Sequence, residues 1–240
     1  MKNPSFFIAL SAGLSFFAPH AGATNSNVSG PDVREGVAVE WRMGSEYDED
    51  SPDRYQQRLH INYGLSETFD LRLITKQEQR EGGHLEYRAT DAEIKWQLFE
   101  DETDGFDGSV KLAYSMADGD DGADSARLFW LYQISRYGFT FRHNSLLGTQ
   151  LGSDAEHTPT AEMRWQAMAN IWQHHSLGME MFNNLGAVDD WAGYNAQGHR
   201  IGPVLKGKLS EDVSYQTGLL FGISDDAPDI GLKFFIGTRF

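Results

Sequence analysis

The chain has 240 residues, a net charge of −15 and no cysteine. That length suits one domain or at most two. The missing cysteines exclude a disulfide framework and a thiolate metal site, and the negative balance argues against nucleic acid, whose phosphates need basic surfaces. A mean hydropathy of −0.48 would suit a soluble protein, yet it does not exclude a transmembrane barrel, in which only alternate residues face lipid.

The first element is a signal peptide over residues 1–23. Lys2 supplies the positive charge, Phe6 to Ala18 the apolar run, and Ala21-Gly22-Ala23 a small-x-small cleavage site. The run of 13 residues is too short to span a bilayer as a helix. Residues 24–34 are polar, contain Gly30-Pro31, and read as a flexible lead-in. From residue 35 to 240 the pattern has period two. Val37, Val39, Trp41 and Met43 alternate with Ala38, Glu40 and Arg42. Leu59, Ile61 and Tyr63 alternate with Arg58, His60 and Asn62. Similar segments follow at 69–74, 91–98, 109–116, 127–135, 139–144, 162–171, 177–181, 200–209, 214–223 and 232–240. Each is a strand with one apolar and one polar face. Segments of this kind have the length a tilted strand needs to cross hydrocarbon.

The expected fold is therefore all-β: a single antiparallel up-and-down transmembrane barrel of about 12 strands, with 10 as the alternative. Leu85 and Tyr87 have the wrong parity for the strand after them, which predicts a bulge or extended hairpin within 84–91. Connections are short on one side, as at 64–68 and 135–138. On the other they are longer and acidic, as at 44–54, 117–124 and 186–198. That is the outer-membrane layout, with short periplasmic turns and long extracellular loops. Tyr63, Phe69, Phe99, Phe139 and Trp172 border the short turns, as an interfacial girdle would. The alternative, a soluble β-sandwich or lipocalin-like barrel, would not sort loop lengths and aromatics by end. The last strand ends in Phe240, which resembles the terminal signal by which barrel-assembly machinery recognises outer-membrane barrels.

The polar faces assign the lumen. Arg58, Arg72, Lys95, Lys111, Arg127, Arg142, Arg164, Arg200, Lys206 and Lys233 are its expected lining, with fewer acids between them. Rings of charge set selectivity in pores, so this face suits a passage for small solutes; the same charges could instead knit a plugged barrel together. Asp118 to Asp124 has the acids of a calcium loop but lacks its closing glutamate, and neither a metal nor a cofactor is expected. The expected partners are outer-membrane lipid and lipopolysaccharide, the assembly machinery, and a small polar, anionic or aromatic solute.

One catalytic alternative exists. His143 and Ser145 lie two apart on one strand face, the minimum for a base beside a hydroxyl nucleophile. The His-x-Ser spacing resembles outer-membrane phospholipase A and lipid A deacylase, which implies a lipid hydrolase. Leu146 stands where those families have an asparagine after the serine, and His157 stands near the position of a third, orienting residue.

The hairpin Leu219-Leu220-Phe221-Gly222-Ile223-Ser224-Asp225-Asp226-Ala227-Pro228-Asp229 resembles the C-terminal hairpin of the outer-membrane transporter family associated with meta-pathway phenol degradation. The turn Gly64-Leu65-Ser66 and the stretch Asp91–Leu98 are similar to it in style. That resemblance implies a small barrel moving hydrophobic or aromatic solutes, and fixes no functional residue. The oligogalacturonate and sialic-acid porins are similar in strand number and basic lumen, which implies anionic solutes.

Overall fold

In a computed structural model of the chain the described residues are 25–240, apart from 81, 102–104, 120–121, 154 and 156. The signal peptide expected over 1–23 lies outside them. Twelve strands follow in order: β1 (Gly36–Asp48), β2 (Ser51–Gly64), β3 (Phe69–Arg80), β4 (Glu86–Asp101), β5 (Phe106–Ala117), β6 (Asp124–Arg136), β7 (Phe139–Leu151), β8 (Thr160–Trp172), β9 (His175–Ala187), β10 (Gly198–Lys208), β11 (Val213–Gly222) and β12 (Ile230–Arg239). Each pairs antiparallel with its chain neighbours, and β1 pairs with β12, so the sheet closes without an edge. The ten-strand alternative is excluded.

The period-two pattern explains the closure. Leu59, Ile61, Leu71, Leu73, Ile94, Leu112, Leu177 and Leu232 point outward and are 40–56% exposed. A leucine left in water forgoes about 1.5–3 kcal/mol of burial, so an exterior built this way belongs in lipid and excludes the soluble sandwich. Aromatic side chains collect at the short-turn end, where Tyr63, Tyr137, Phe139, Trp172 and Phe240 are all more than half exposed. Tyr137 and Gly138 both have positive φ, 53° and 80°. They form a two-residue hairpin turn whose twist suits the strands it joins.

One boundary differs from the sequence reading, and the bulge expected within 84–91 is present. Residues 44–54, expected as a loop, are mostly strand, and only Glu49 and Asp50 turn. Two of the acids there are engaged: Glu46 faces Arg54 across the ladder and accepts Arg200 Nη1 at 2.6 Å, and Asp50 N–H donates to Asp48 Oδ1 at 2.9 Å. Near residues 84–91 the register slips, with Lys76 opposite Ala89 and Gln77 opposite Tyr87, so Arg88 is the extra residue of a bulge.

The lead-in is the larger correction. Residues 25–34 form no regular structure beyond a short turn, as Gly30-Pro31 suggests. They are nonetheless held in the lumen, with Asn25, Val28 and Val33 buried. A polar segment finds there the hydrogen-bond partners that a polar barrel interior offers.

Candidate functional site

The segment enters from the short-turn end, where Gly36 opens β1 beside Gly64. It then climbs to about mid-height. Val33 N–H donates to Gln97 Oε1 at 2.7 Å, and Lys95 Nζ donates to Asp32 O. Higher up, Ser29 N–H donates to Asn144 Oδ1 at 2.8 Å, and Asn144 Nδ2 returns a bond to Ser29 O at 3.0 Å. Arg164 and Lys233 reach the carbonyls of Asn27 and Ser26. Val28 packs in an apolar pocket with Phe182 and Leu220. A Cβ at Gly30 would meet the Asp32 carboxylate at 2.5 Å and the Arg142 guanidinium carbon at 3.2 Å, so the segment passes close to both. Burial pushes the Asp32 carboxyl up, but Arg142, Arg34 and Lys95 outweigh it and hold the group below its usual range.

The cations singled out from the sequence lie on the inner face, and most are engaged. Lys95 pairs with Asp70 at 3.0 Å, Lys111 with Glu93 at 2.9 Å, and Arg127 with Asp91 at 2.8 Å. Arg164 holds Glu162 at 2.6 Å. Lys233 pairs with Glu180, which also accepts from Gln166 and Gln216. Lys206 Nζ donates to Gln166 at 2.9 Å and Arg142 Nε to Gln133 at 2.6 Å. Arg72 Nε donates to Asn62 at 3.1 Å, with Glu93 at 3.8 Å. Arg58 differs from all of these: among the described residues its side chain makes no hydrogen bond or ion pair.

Packing is uneven around the interior. Phe129, Leu131, Leu146 and Ala113 form an inner apolar cluster over β5–β7. Lys111 lies 3.9 Å over the Phe129 ring, and Arg42 lies 4.7 Å over Phe235. On the β1–β3 side the space stays open. One cavity of about 430 Å³ faces the long-loop end and takes in Arg42, Arg58, His60, Arg72, Lys76 and Arg127. A second, about 420 Å³, faces the short-turn end between Arg34, Asp212 and Arg239. The two share Asn27, Ser29, Arg42, His60 and Arg72, so they adjoin beside the N-terminal segment.

No protein-family model matches the chain, and no curated protein matches it in sequence. Solved structures match it in shape. An outer membrane channel from Pseudomonas putida F1 superposes with a TM-score of 0.68 at 10% identity, over 90% of this chain and 100% of that one. The KdgM porin in complex with disordered oligogalacturonate superposes with a TM-score of 0.59 at 8% identity, over 85% and 99%. The fold is that of an outer-membrane β-barrel. At such identity the likeness extends to architecture and carries no residue roles across.

The pair expected for a hydrolase is placed on the outer wall of this barrel. His143 Nε2 and Ser145 Oγ are 2.7 Å apart. His143 lies tilted against Trp165 with ring centroids 3.8 Å apart. A base needs an orienting side chain on its second nitrogen, and among the described residues no side chain bonds Nδ1. His157, the candidate third member, bonds Gln150 O and Thr149 Oγ1 at the long-loop end of β7 instead. The hydrogen bond satisfies two polar side chains on a lipid-facing strand. In the acidic turn, Asp124 accepts from Ala117 N–H at 3.0 Å and from Tyr114 Oη, closing the β5–β6 hairpin. No group of three potential metal ligands occurs among the described residues.

Sequence reasoning missed the inner apolar residues and the lumen segment. The first left a signal. Leu128 to Tyr132 is an unbroken apolar run, the pattern of a strand buried on both faces. The second left none, because a polar stretch of ten residues looks the same in water and in a polar lumen.

Proposed function

We propose that the protein is an outer-membrane channel that passes small polar or anionic solutes through the strip of lumen beside the N-terminal segment. The observation that carries this reading is the pair of cavities that adjoin at Arg42, His60 and Arg72. Their lining is cationic, whereas the loops at the far end bear acids such as Asp48, Glu49 and Asp50. Arg58, Arg72, Lys95, Lys111, Arg127, Arg142, Arg164, Arg200, Lys206 and Lys233 supply the field that favours anions over cations. A porin of similar fold was solved with oligogalacturonate, a polyanion. The resemblance of the β11–β12 hairpin to the phenol-degradation transporters points to aromatic solutes; the charged lining favours the anionic choice. Lipid and lipopolysaccharide surround the wall in this reading. Phe240, exposed at the short-turn end with its N–H on Val37 O at 2.9 Å, marks the chain for the assembly machinery.

The N-terminal segment itself favours a second reading, a structural barrel without traffic. Single-channel recording of the refolded protein in planar bilayers separates the two. The channel reading expects discrete current steps with anion preference in asymmetric salt. Absence of current in every salt tested assigns the structural role.

A further inference from the structure

The inner face of β1–β3 carries an arrangement that folding alone disfavours. Arg42 faces Arg58 directly across the β1–β2 ladder, and Arg58 faces Lys76 directly across β2–β3. Like charges placed opposite each other in adjacent strands are destabilising. The two outer members are compensated, Arg42 by Glu40 at 2.5 Å and Lys76 by Asp91 at 2.7 Å. Arg58, between them, has no such partner. The acid that acts on it through space, Asp91, is already shared by Lys76 and Arg127 on one oxygen. One step along β2, His60 is 4% exposed, and both its ring nitrogens lack a hydrogen-bond partner among the described residues. Leaving a buried donor unmade costs about 1–3 kcal/mol. Arg58 and His60 both line the long-loop cavity, and His60 also lines the one beneath it.

We infer that Arg58 and His60, with Arg42 and Arg72 beside them, form a binding site for an oxyanion, a carboxylate or phosphate group, next to where the two cavities adjoin. A guanidinium offers parallel N–H donors that match either group. An imidazole N–H adds a donor in either protonation state. An oxyanion seated there would neutralise the row of cations and satisfy the histidine at once. The site rests on the channel reading to the extent that the solute must reach the lumen from water.

The test is calorimetric titration of the barrel refolded in detergent, with sodium acetate and sodium phosphate at constant ionic strength. It needs no current, so the site can stand or fall apart from conduction. Saturable binding is expected, with the tighter of the two anions naming the class. Arg58→Gln should weaken it at least about tenfold, the equivalent of one charge-assisted hydrogen bond. Arg58→Lys keeps the charge but loses the fork, and should fall between. Arg80→Gln, an exposed arginine at the long-loop rim, should leave binding unchanged. Two results overturn the site: no saturable binding in the parent protein, or equal weakening in Arg58→Gln and Arg80→Gln. Should Arg58→Gln not refold, Arg58→Lys against Arg80→Gln decides by the same criterion.

Discussion

The lumen has two sides that treat buried charge in opposite ways. Against β9, β11 and β12 the N-terminal segment is packed on Phe182 and Leu220, and Lys233 is locked to Glu180 with Gln216 and Ser26 around it. The buried charges there, Lys233 and Glu180, are paired with each other. Against β1–β3 three cations stand in a row, and the middle one, Arg58, has no hydrogen bond or ion pair among the described residues. Both sides are polar strand faces of the same period, so local sequence does not separate them. The difference separates charges that hold the fold together from charges along the proposed passage. Paired charges hold the segment in place, while unpaired ones sit where solutes would pass.

Removing the segment should break the comparison most. Deletion of residues 25–34 is expected to raise single-channel conductance severalfold while the barrel stays heat-modifiable on gels. Unchanged conductance would mean that the segment does not limit flow. Next is the buried pair. Lys233→Met leaves Glu180 uncompensated in a dry site, and should lower stability by about 3–5 kcal/mol in urea titration from detergent. The double variant Lys233→Met with Glu180→Leu should recover most of that loss, as paired removal of buried ions often does. By contrast, Arg58→Gln relieves like-charge repulsion and should raise stability, by up to about 1 kcal/mol. A large loss would place Arg58 on the structural side.

Acid should loosen the docked N-terminal segment. Burial opposes ionisation of Asp32, but Arg142, Arg34 and Lys95 hold its carboxyl below the usual range. A group depressed in the folded state stabilises docking above its ordinary value of about 3.9, and that contribution fades as pH falls through the lower, folded value. Conductance should therefore rise below about pH 4, and Asp32→Asn should abolish the rise. The smallest effect belongs to the outer wall. Ser145→Ala removes one hydrogen bond and should cost about 0.5–1.5 kcal/mol, with conductance unchanged. Ester hydrolysis by the parent protein that vanishes in this variant would restore the hydrolase reading.

Much of the architecture was legible in period two. Leu59-His60-Ile61 and Leu71-Arg72-Leu73 announce one face for lipid and one for the interior, and the mismatch at Tyr87 announced its bulge. Loop boundaries were less legible, because the acids of 44–54 look solvated until Arg54 and Arg200 are brought to Glu46. The candidate site was half legible. Arg58, Arg72 and His60 could be assigned to the polar face, but not which cations would be paired. Lys95 finds Asp70 and Arg200 finds Glu46 over sequence separations that no local pattern encodes.

The sequence by itself determined that alternate residues divide between lipid and interior, that the wall is a barrel of about twelve strands with ten as the alternative, and that an aromatic belt borders the short turns. These are local properties, repeated strand after strand. Only the tertiary structure decided that residues 25–34 enter the lumen and that the Arg58 side chain has no hydrogen bond or ion pair among the described residues. Both depend on which side chains the closed ladder brings opposite one another, and closure joins residues as distant as Ser26 and Lys233.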